Sequence, residues 1–127
     1  MAEVVVPVSI GELVDKITIL RIKRRMIKDQ AKVGNIETEL TALLAVCKTS
    51  NIDADSPLAK DLEDINLKLW KIEDDIRDLE RSKTFDAKFI ELARAVYVTN
   101  DERFVVKSKI NTAFGSKFKE EKSYKPY

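Results

Sequence analysis

The feature that most constrains the fold is a long run of apolar residues, spaced alternately by three and four positions, near the middle of the chain. Ser56-Pro57 precedes it with a typical helix start, an N-cap followed by proline at the first helical position. The run spans about three heptads and comprises Leu58, Leu62, Ile65, Leu69, Ile72, Ile76 and Leu79. This pattern predicts a helix of about 24 residues, about 36 Å long. Such a helix suits either a long hairpin within the chain or a coiled coil between chains, and we expect Leu69 and Ile72 to be buried.

Two further helices are predicted before this run. Ser9 and Glu12 have the spacing of a capping box, and apolar residues at 3,4 spacing continue from there to about Lys28. A second apolar series runs from Val33 to Cys47, about 200° around the helix from the first. Either a turn near Asp29 separates two helices, or one long helix changes the face that it buries.

The C-terminal third is predicted to hold a pair of shorter helices. Residues 83–86 form a connection, and Thr99-Asn100-Asp101-Glu102 resembles a new helix start, with carboxylates in its first turn. The second helix of the pair ends at Gly115. We therefore predict a single all-α domain over residues 1–127. It has an N-terminal extension (1–8), long antiparallel helices in a hairpin or coiled-coil bundle, the shorter pair, and an aromatic and basic tail (116–127).

The residue types present exclude much catalytic chemistry. The chain has no His and one Cys, so it lacks the commonest general base and the means for a Cys/His zinc site, a disulfide framework or a CxxC pair. The acidic pairs Asp61/Asp64 and Asp75/Asp78 fall on one helix and indicate a charged solvent face. We predict no catalytic residue, no metal site and no cofactor. No apolar stretch is long enough to span a membrane, and we expect a soluble cytoplasmic protein.

Charge is distributed unevenly although the net charge is +1. Residues 1–28 carry six basic and three acidic side chains, residues 53–81 carry five and ten, and residues 103–127 carry seven and two. This distribution favours pairing of the ends with the middle, within one chain or between two. Glu12 and Lys16 are spaced as an ordinary i,i+4 ion pair on the first helix. The basic run 21–28 is therefore interpreted as a face that is solvated or paired within the molecule, and nucleic acid is not the expected partner.

Two sets of residues are candidates for function. Residues 99–103 either cap a helix, which the sequence favours, or form a polar pocket in which Arg103 binds an anion and Asp101 or Glu102 orients a hydroxyl group. The full candidate ligand-binding set is Glu12, Lys16, Asp74, Asn100, Asp101, Glu102 and Arg103. Trp70 lies beside the apolar run and is typical of a packing or interface anchor. The candidate interface comprises Leu62, Leu69, Trp70 and Ile76.

Several stretches resemble the signature sequences of an uncharacterised family of short helical proteins from bacteria and marine cyanophages, known only as a domain of unknown function. They are residues 10–20 (IGELVDKITIL), 69–77 (LWKIEDDIR), 89–97 (FIELARAVY), 99–103 (TNDER) and 120–124 (EEKSY). The resemblance covers nearly the whole chain and implies no known activity. If the chain is phage-encoded, the expected compartment is the host cytoplasm. The resemblance directs attention to three polar blocks, residues 11–18, 70–77 and 99–103.

The leading hypothesis from the sequence is a non-enzymatic interaction or scaffold protein that forms a homodimer through the third helix, with a further protein partner as an option. The alternative is the binding or processing of an anionic small molecule, such as a nucleotide or sugar phosphate, at residues 100–103. Nucleic-acid binding through a basic surface is the third. A scaffold predicts Arg103 and Glu102 on a flat surface, whereas a ligand-binding protein predicts a concave site that joins them to Lys16, Glu12 or Asp74.

Overall fold

A computed structural model describes residues 2–127 of the chain, which contain four α-helices and no strand. Helix α1 spans Ile10–Met26, α2 spans Gln30–Thr49, α3 spans Pro57–Arg81 and α4 spans Ala87–Ala113. The all-α prediction is confirmed. None of these helices is both long enough and apolar enough to cross a membrane.

Side-chain caps fix where the helices begin. Ser9 Oγ accepts from the Glu12 amide at 3.1 Å, and Ser56 Oγ accepts from the Ala59 amide at 3.2 Å. Asp29 Oδ1 accepts from two amides at the start of α2, at 3.0 and 3.2 Å. Each cap satisfies amides that have no partner in the first helical turn. The alternative of a turn near Asp29 is therefore the one adopted, and α1 and α2 are separate helices.

The predicted pair of shorter C-terminal helices is wrong, because α4 runs without a break from Ala87 to Ala113. No Gly or Pro interrupts this span. Thr99, placed at the supposed junction, is completely buried in the middle of the helix. Asn100 does not cap a helix, since its side-chain oxygen instead accepts from Arg103 Nη1 at 3.4 Å. Packing of α4 against α3 outweighs the weak local preference of Thr, Asn and Asp for helix starts.

Helix α1 lies at the centre of the molecule and packs against the three other helices, whereas α2 packs against α1 alone. One face of α1 joins α2 in an apolar cluster of Leu13, Ile17, Leu20, Ile36, Leu40, Cys47 and Ala54. An adjacent face meets α3 and α4 in a second cluster of Val14, Ala59, Leu62 and Ile110. The polar residues Asp15 and Thr18 of α1 are buried as well, on the side that faces α3 and α4, where Asn66 of α3 donates to both.

The basic end of α1 pairs within the molecule, as the charge distribution predicted. Arg21 lies 3.1 Å from Asp55, and Arg25 lies 3.5 Å from Glu63, both within the acidic segment 53–81. The Arg21 guanidinium also donates to the backbone carbonyl of Ala54 at 2.9 Å. These contacts place the C-terminal end of α1 beside the start of α3 and the segment that precedes it.

Candidate functional site

The candidate site is built on two polar stripes that face each other between α1 and α4. On α1, Gly11, Asp15 and Thr18 are spaced by four and three residues and are all buried. On α4, Arg103, Lys107 and Asn111 are spaced by four residues. Residues at these spacings lie on one face of a helix, so the two stripes can meet along their length.

Gly11 allows α1 and α4 to approach closely. Its amide donates to Asn111 Oδ1 at 2.6 Å. A Cβ at this position would lie 2.6 Å from the backbone oxygen of Lys107, which is too close for any side chain. Glycine is therefore required here by the close contact of the two helices, which in turn places Glu12 and Asp15 beside the basic residues of α4.

Asp15 and Arg103 form the central ion pair. Asp15 is 1% exposed. Arg103 Nε donates to Asp15 Oδ1 at 3.0 Å, and Arg103 Nη2 donates to Oδ2. Asn66 on α3 donates to Asp15 Oδ1 at 2.8 Å and to Thr18 Oγ1 at 2.9 Å. The hydrogen bond to Asp15 raises the pKa of Arg103 above its ordinary value, against the opposing effect of burial. The buried carboxylate is thus matched by a bidentate arginine and an amide, the arrangement that a buried charge needs.

Lys107 is the second cation of the site, and unlike Arg103 it is buried. Its Nζ lies 2.8 Å from Glu12 Oε2, 3.0 Å from Glu120 Oε1 and 4.0 Å from Asp15 Oδ2. Burial is the largest effect and lowers the pKa of Lys107, but the hydrogen bond to Glu12 and the nearby carboxylates of Glu120 and Asp15 together outweigh it and leave the pKa raised. The Glu12 carboxylate is therefore directed to Lys107 and not toward Lys16, the i+4 partner expected from the sequence.

Arg103 and Asn100 line two concavities that lie next to each other. The larger, which we call the Trp70 groove, has a volume of about 400 Å³ and is lined by Ile19, Asn66, Leu69, Trp70, Glu73, Asp74, Arg77, Asn100 and Arg103. The smaller, which we call the Lys107 cavity, has a volume of about 220 Å³ and is lined by Glu12, Asn100, Arg103, Phe104, Lys107, Glu120 and Lys122. The three polar blocks singled out in the sequence thus converge on one region.

The candidate ligand-binding residues divide between this region and the outer surface. Glu12, Asp74, Asn100 and Arg103 line one or both concavities. Lys16 is exposed and lines neither of them. Glu102 is exposed and lies 3.8 Å from Lys68. Asp101 is exposed and accepts from the Tyr127 hydroxyl at 2.6 Å.

The candidate interface residues also differ in exposure. Leu62 is completely buried in the apolar cluster shared with α1 and α4, so it has no surface to offer a partner. Leu69, Trp70 and Ile76 are half-buried. Ile72 is buried as predicted, whereas the predicted burial of Leu69 is wrong because this residue lines the Trp70 groove. Half-buried residues occur along the whole α3 run, because Leu58 and Ile65 in its first half are half-buried as well.

Sequence reasoning missed several members of the site as ligand-binding candidates. They are Asp15, Thr18, Asn66, Lys107, Asn111 and Glu120. One signal was available for the four on α1 and α4, since polar residues at spacings of three and four recur on these helices with opposite charge. Glu120 lies beyond α4 and outside this pattern. Asn66 lies within the apolar run of α3, where its surroundings in the sequence do not mark it as part of a site.

Comparison with known proteins gives a family without an assigned activity. No curated protein and no solved structure matches the chain. The sequence profile of a family of unknown function, DUF6165, matches residues 4–126. Because this match covers almost the whole chain, the chain belongs to the DUF6165 family.

Proposed function

We propose that the protein binds a small molecule with a planar ring and an anionic group, such as a nucleotide, in the Trp70 groove. The observation that carries the proposal is the fixed position of Arg103 in a concave surface that also contains Trp70. Arg103 uses two nitrogens to hold Asp15, and its side chain remains 29% exposed. Nη1 also donates to Asn100 Oδ1, so about two of the five guanidinium N–H groups, one on each terminal nitrogen, remain for a ligand.

An arginine held in this way is a good receptor for an oxyanion. The guanidinium presents donors in a fixed fork that matches carboxylate and phosphate groups. Because Asp15 and Asn100 already orient the side chain, ligand binding does not carry most of the entropy cost of ordering it. Asn100 lines both concavities and can add a side-chain amide contact.

Trp70 supplies the second half of the recognition. It is half-buried and lines the groove with Leu69 and Ile19, so it offers an apolar surface for a planar ring. A volume of about 400 Å³ falls in the usual range of small-molecule sites, about 300–1,000 Å³. Asp74 at the same groove is an acceptor for ligand hydroxyl or amino groups.

This geometry fits the small-ligand alternative better than the scaffold hypothesis at Arg103. A scaffold predicts a flat surface there, whereas Arg103 shares concavities with Glu12 and Asp74. Glu102 and Lys16 lie outside these concavities and have no part in the proposed site.

The single Trp makes the test direct, because tryptophan fluorescence of the full chain reports only on Trp70. Adenosine 5′-monophosphate, uridine 5′-monophosphate and guanosine 5′-monophosphate are titrated against the wild type, Arg103→Lys and the control Arg94→Lys. Arg94 is an exposed residue of the same helix. We expect Arg103→Lys to weaken binding about tenfold or more, or about 1.4 kcal/mol, and Arg94→Lys to leave it unchanged.

Two outcomes contradict the proposal. One is the absence of any fluorescence change with the three nucleotides up to about 1 mM. At that concentration the assay detects complexes whose binding free energy is about −4 kcal/mol or more favourable. The other is binding that Arg103→Lys and Arg94→Lys weaken equally, since a general charge effect would then explain it.

A second candidate function is homodimer formation through α3. It is supported by the half-buried apolar residues Leu69, Ile76 and Leu79, which follow Asn66 along the helix. Apolar residues at coiled-coil spacing can pair with the same surface of a second copy. Light scattering at tens of micromolar tests this, with a dimer mass expected for the wild type and a monomer mass for Ile76→Asp. A monomeric wild type refutes it.

A further inference from the structure

The Lys107 cavity already contains an anionic group, supplied by the C-terminal segment. Glu120 lies beyond the end of α4, and its Oε1 is 3.0 Å from Lys107 Nζ. The Lys107 side chain is 7% exposed, whereas that of Glu120 is 34% exposed. The cation is therefore enclosed by the fold, and the Glu120 oxygen that faces it is buried while the rest of that side chain is partly exposed.

Cations outnumber the carboxylates that line this cavity. Arg103, Lys107 and Lys122 face Glu12 and Glu120. If the Glu120 side chain rotates outward, the three cations remain with two carboxylates, Glu12 on the lining and the buried Asp15 behind it. Lys107 then keeps its hydrogen bond to Glu12, so the outward movement does not leave a buried charge without a partner.

Lys122 Nζ lies 4.0 Å from Glu120 Oε2, but two further contacts of Lys122 do not involve Glu120. The same Nζ lies 5.6 Å from the centre of the Phe104 ring and 5.5 Å from that of Tyr124, which are cation–π distances. Farther along the segment, Tyr127 packs edge-on against Tyr97, with ring centres 5.2 Å apart. The segment can therefore stay on α4, and keep Lys122 at the cavity, while the Glu120 side chain moves.

We infer that the Glu120 carboxylate occupies the position of a ligand's phosphate or carboxylate group in the Lys107 cavity and exchanges with it. This inference rests on the proposed function, since Arg103 and Asn100 line both concavities and a ligand whose ring contacts Trp70 can extend its anionic group past them. A volume of about 220 Å³ greatly exceeds the share of one water in the liquid, about 30 Å³, so an oxyanion can enter.

The test compares Glu120→Gln with Glu121→Gln, which changes the net charge equally at an exposed neighbouring position. Binding of inorganic phosphate to the full chain is measured by isothermal titration calorimetry at constant ionic strength. We expect Glu120→Gln to bind phosphate about tenfold or more tightly than the wild type, because the competing carboxylate is gone. Glu121→Gln should match the wild type, and Glu120→Gln combined with Lys122→Gln should lose the gain. Equal phosphate affinity in Glu120→Gln and the wild type overturns the inference, as does an equal gain in both single variants.

Adenosine and adenosine 5′-monophosphate, followed by Trp70 fluorescence, separate this inference from the proposed function. We expect Glu120→Gln to strengthen binding of the monophosphate and to leave binding of adenosine unchanged. Adenosine binding without any gain for phosphate or the monophosphate refutes the exchange and leaves the proposed function intact. A gain for inorganic phosphate with no response to adenosine or the monophosphate supports the anion site and refutes the ring site at Trp70.

Discussion

Replacing Gly11 by Ala tests whether the close contact between α1 and α4 holds the site together. The new Cβ would lie 2.6 Å from the backbone oxygen of Lys107, and ordinary contacts begin at 3.4 Å. The two helix backbones must therefore move apart by about 0.8 Å, or neighbouring side chains and backbone must take up strained conformations. Overpacking of this kind costs about 1–3 kcal/mol. The 2.6 Å hydrogen bond from the Gly11 amide to Asn111 weakens as well, at about 0.5–1.5 kcal/mol. The higher helix propensity of Ala stabilises the variant by at most about 1 kcal/mol.

We expect a net loss of about 1–3 kcal/mol in the free energy of unfolding, measured by urea denaturation followed by circular dichroism. Gly34→Ala is the matched control, because Gly34 lies within α2 and a Cβ added there would meet no atom within 4 Å. At this position the propensity gain acts alone, and we expect stabilisation of about 0.5–1 kcal/mol. If both variants are stabilised equally, the close helix contact at Gly11 does not constrain the protein and the argument fails.

Three further predictions concern the polar residues. Asp15→Asn should lower the free energy of unfolding by about 3 kcal/mol in urea denaturation. This is the low end of the range for a broken buried ion pair, because Arg103 is partly exposed. A loss below about 1 kcal/mol would contradict this prediction. Asn100→Ala should cost less than about 0.5 kcal/mol in the same assay because Asn100 caps no helix, whereas Ser56→Ala should cost about 1 kcal/mol through its lost cap. The pKa of Lys107 is raised in the folded state, so protonated Lys107 stabilises the fold. This stabilisation is fully present below the ordinary lysine pKa of about 10.4 and declines as the pH rises through the pKa of Lys107 in the folded protein. Denaturation curves between about pH 9 and 12 should show this decline, and a Lys107→Met variant that declines as steeply as the wild type would refute the assignment.

Much of the secondary structure could be predicted from the sequence because helix formation follows local patterns. Apolar spacing located α1 and α3, and the side chains of Ser9 and Ser56 marked their starts. The same local reasoning failed at Thr99, where polar residues that favour a helix start lie inside a continuous helix. A capping preference is worth about 1 kcal/mol, and packing of α4 against α3 exceeds it.

The candidate site depended on tertiary structure far more than the helices did. The sequence identified Arg103 as an anion-binding candidate, but its partner Asp15 lies 88 residues away, and the polar spacing around Asp15 does not show which basic residue it meets. Likewise, Glu12 was expected to pair with Lys16 and instead reaches Lys107, 95 residues away. The sequence by itself determined which segments are helical and which faces are apolar. Only the tertiary structure decided which charges are buried together, because ion pairing depends on where two helices cross and not on the spacing within either one.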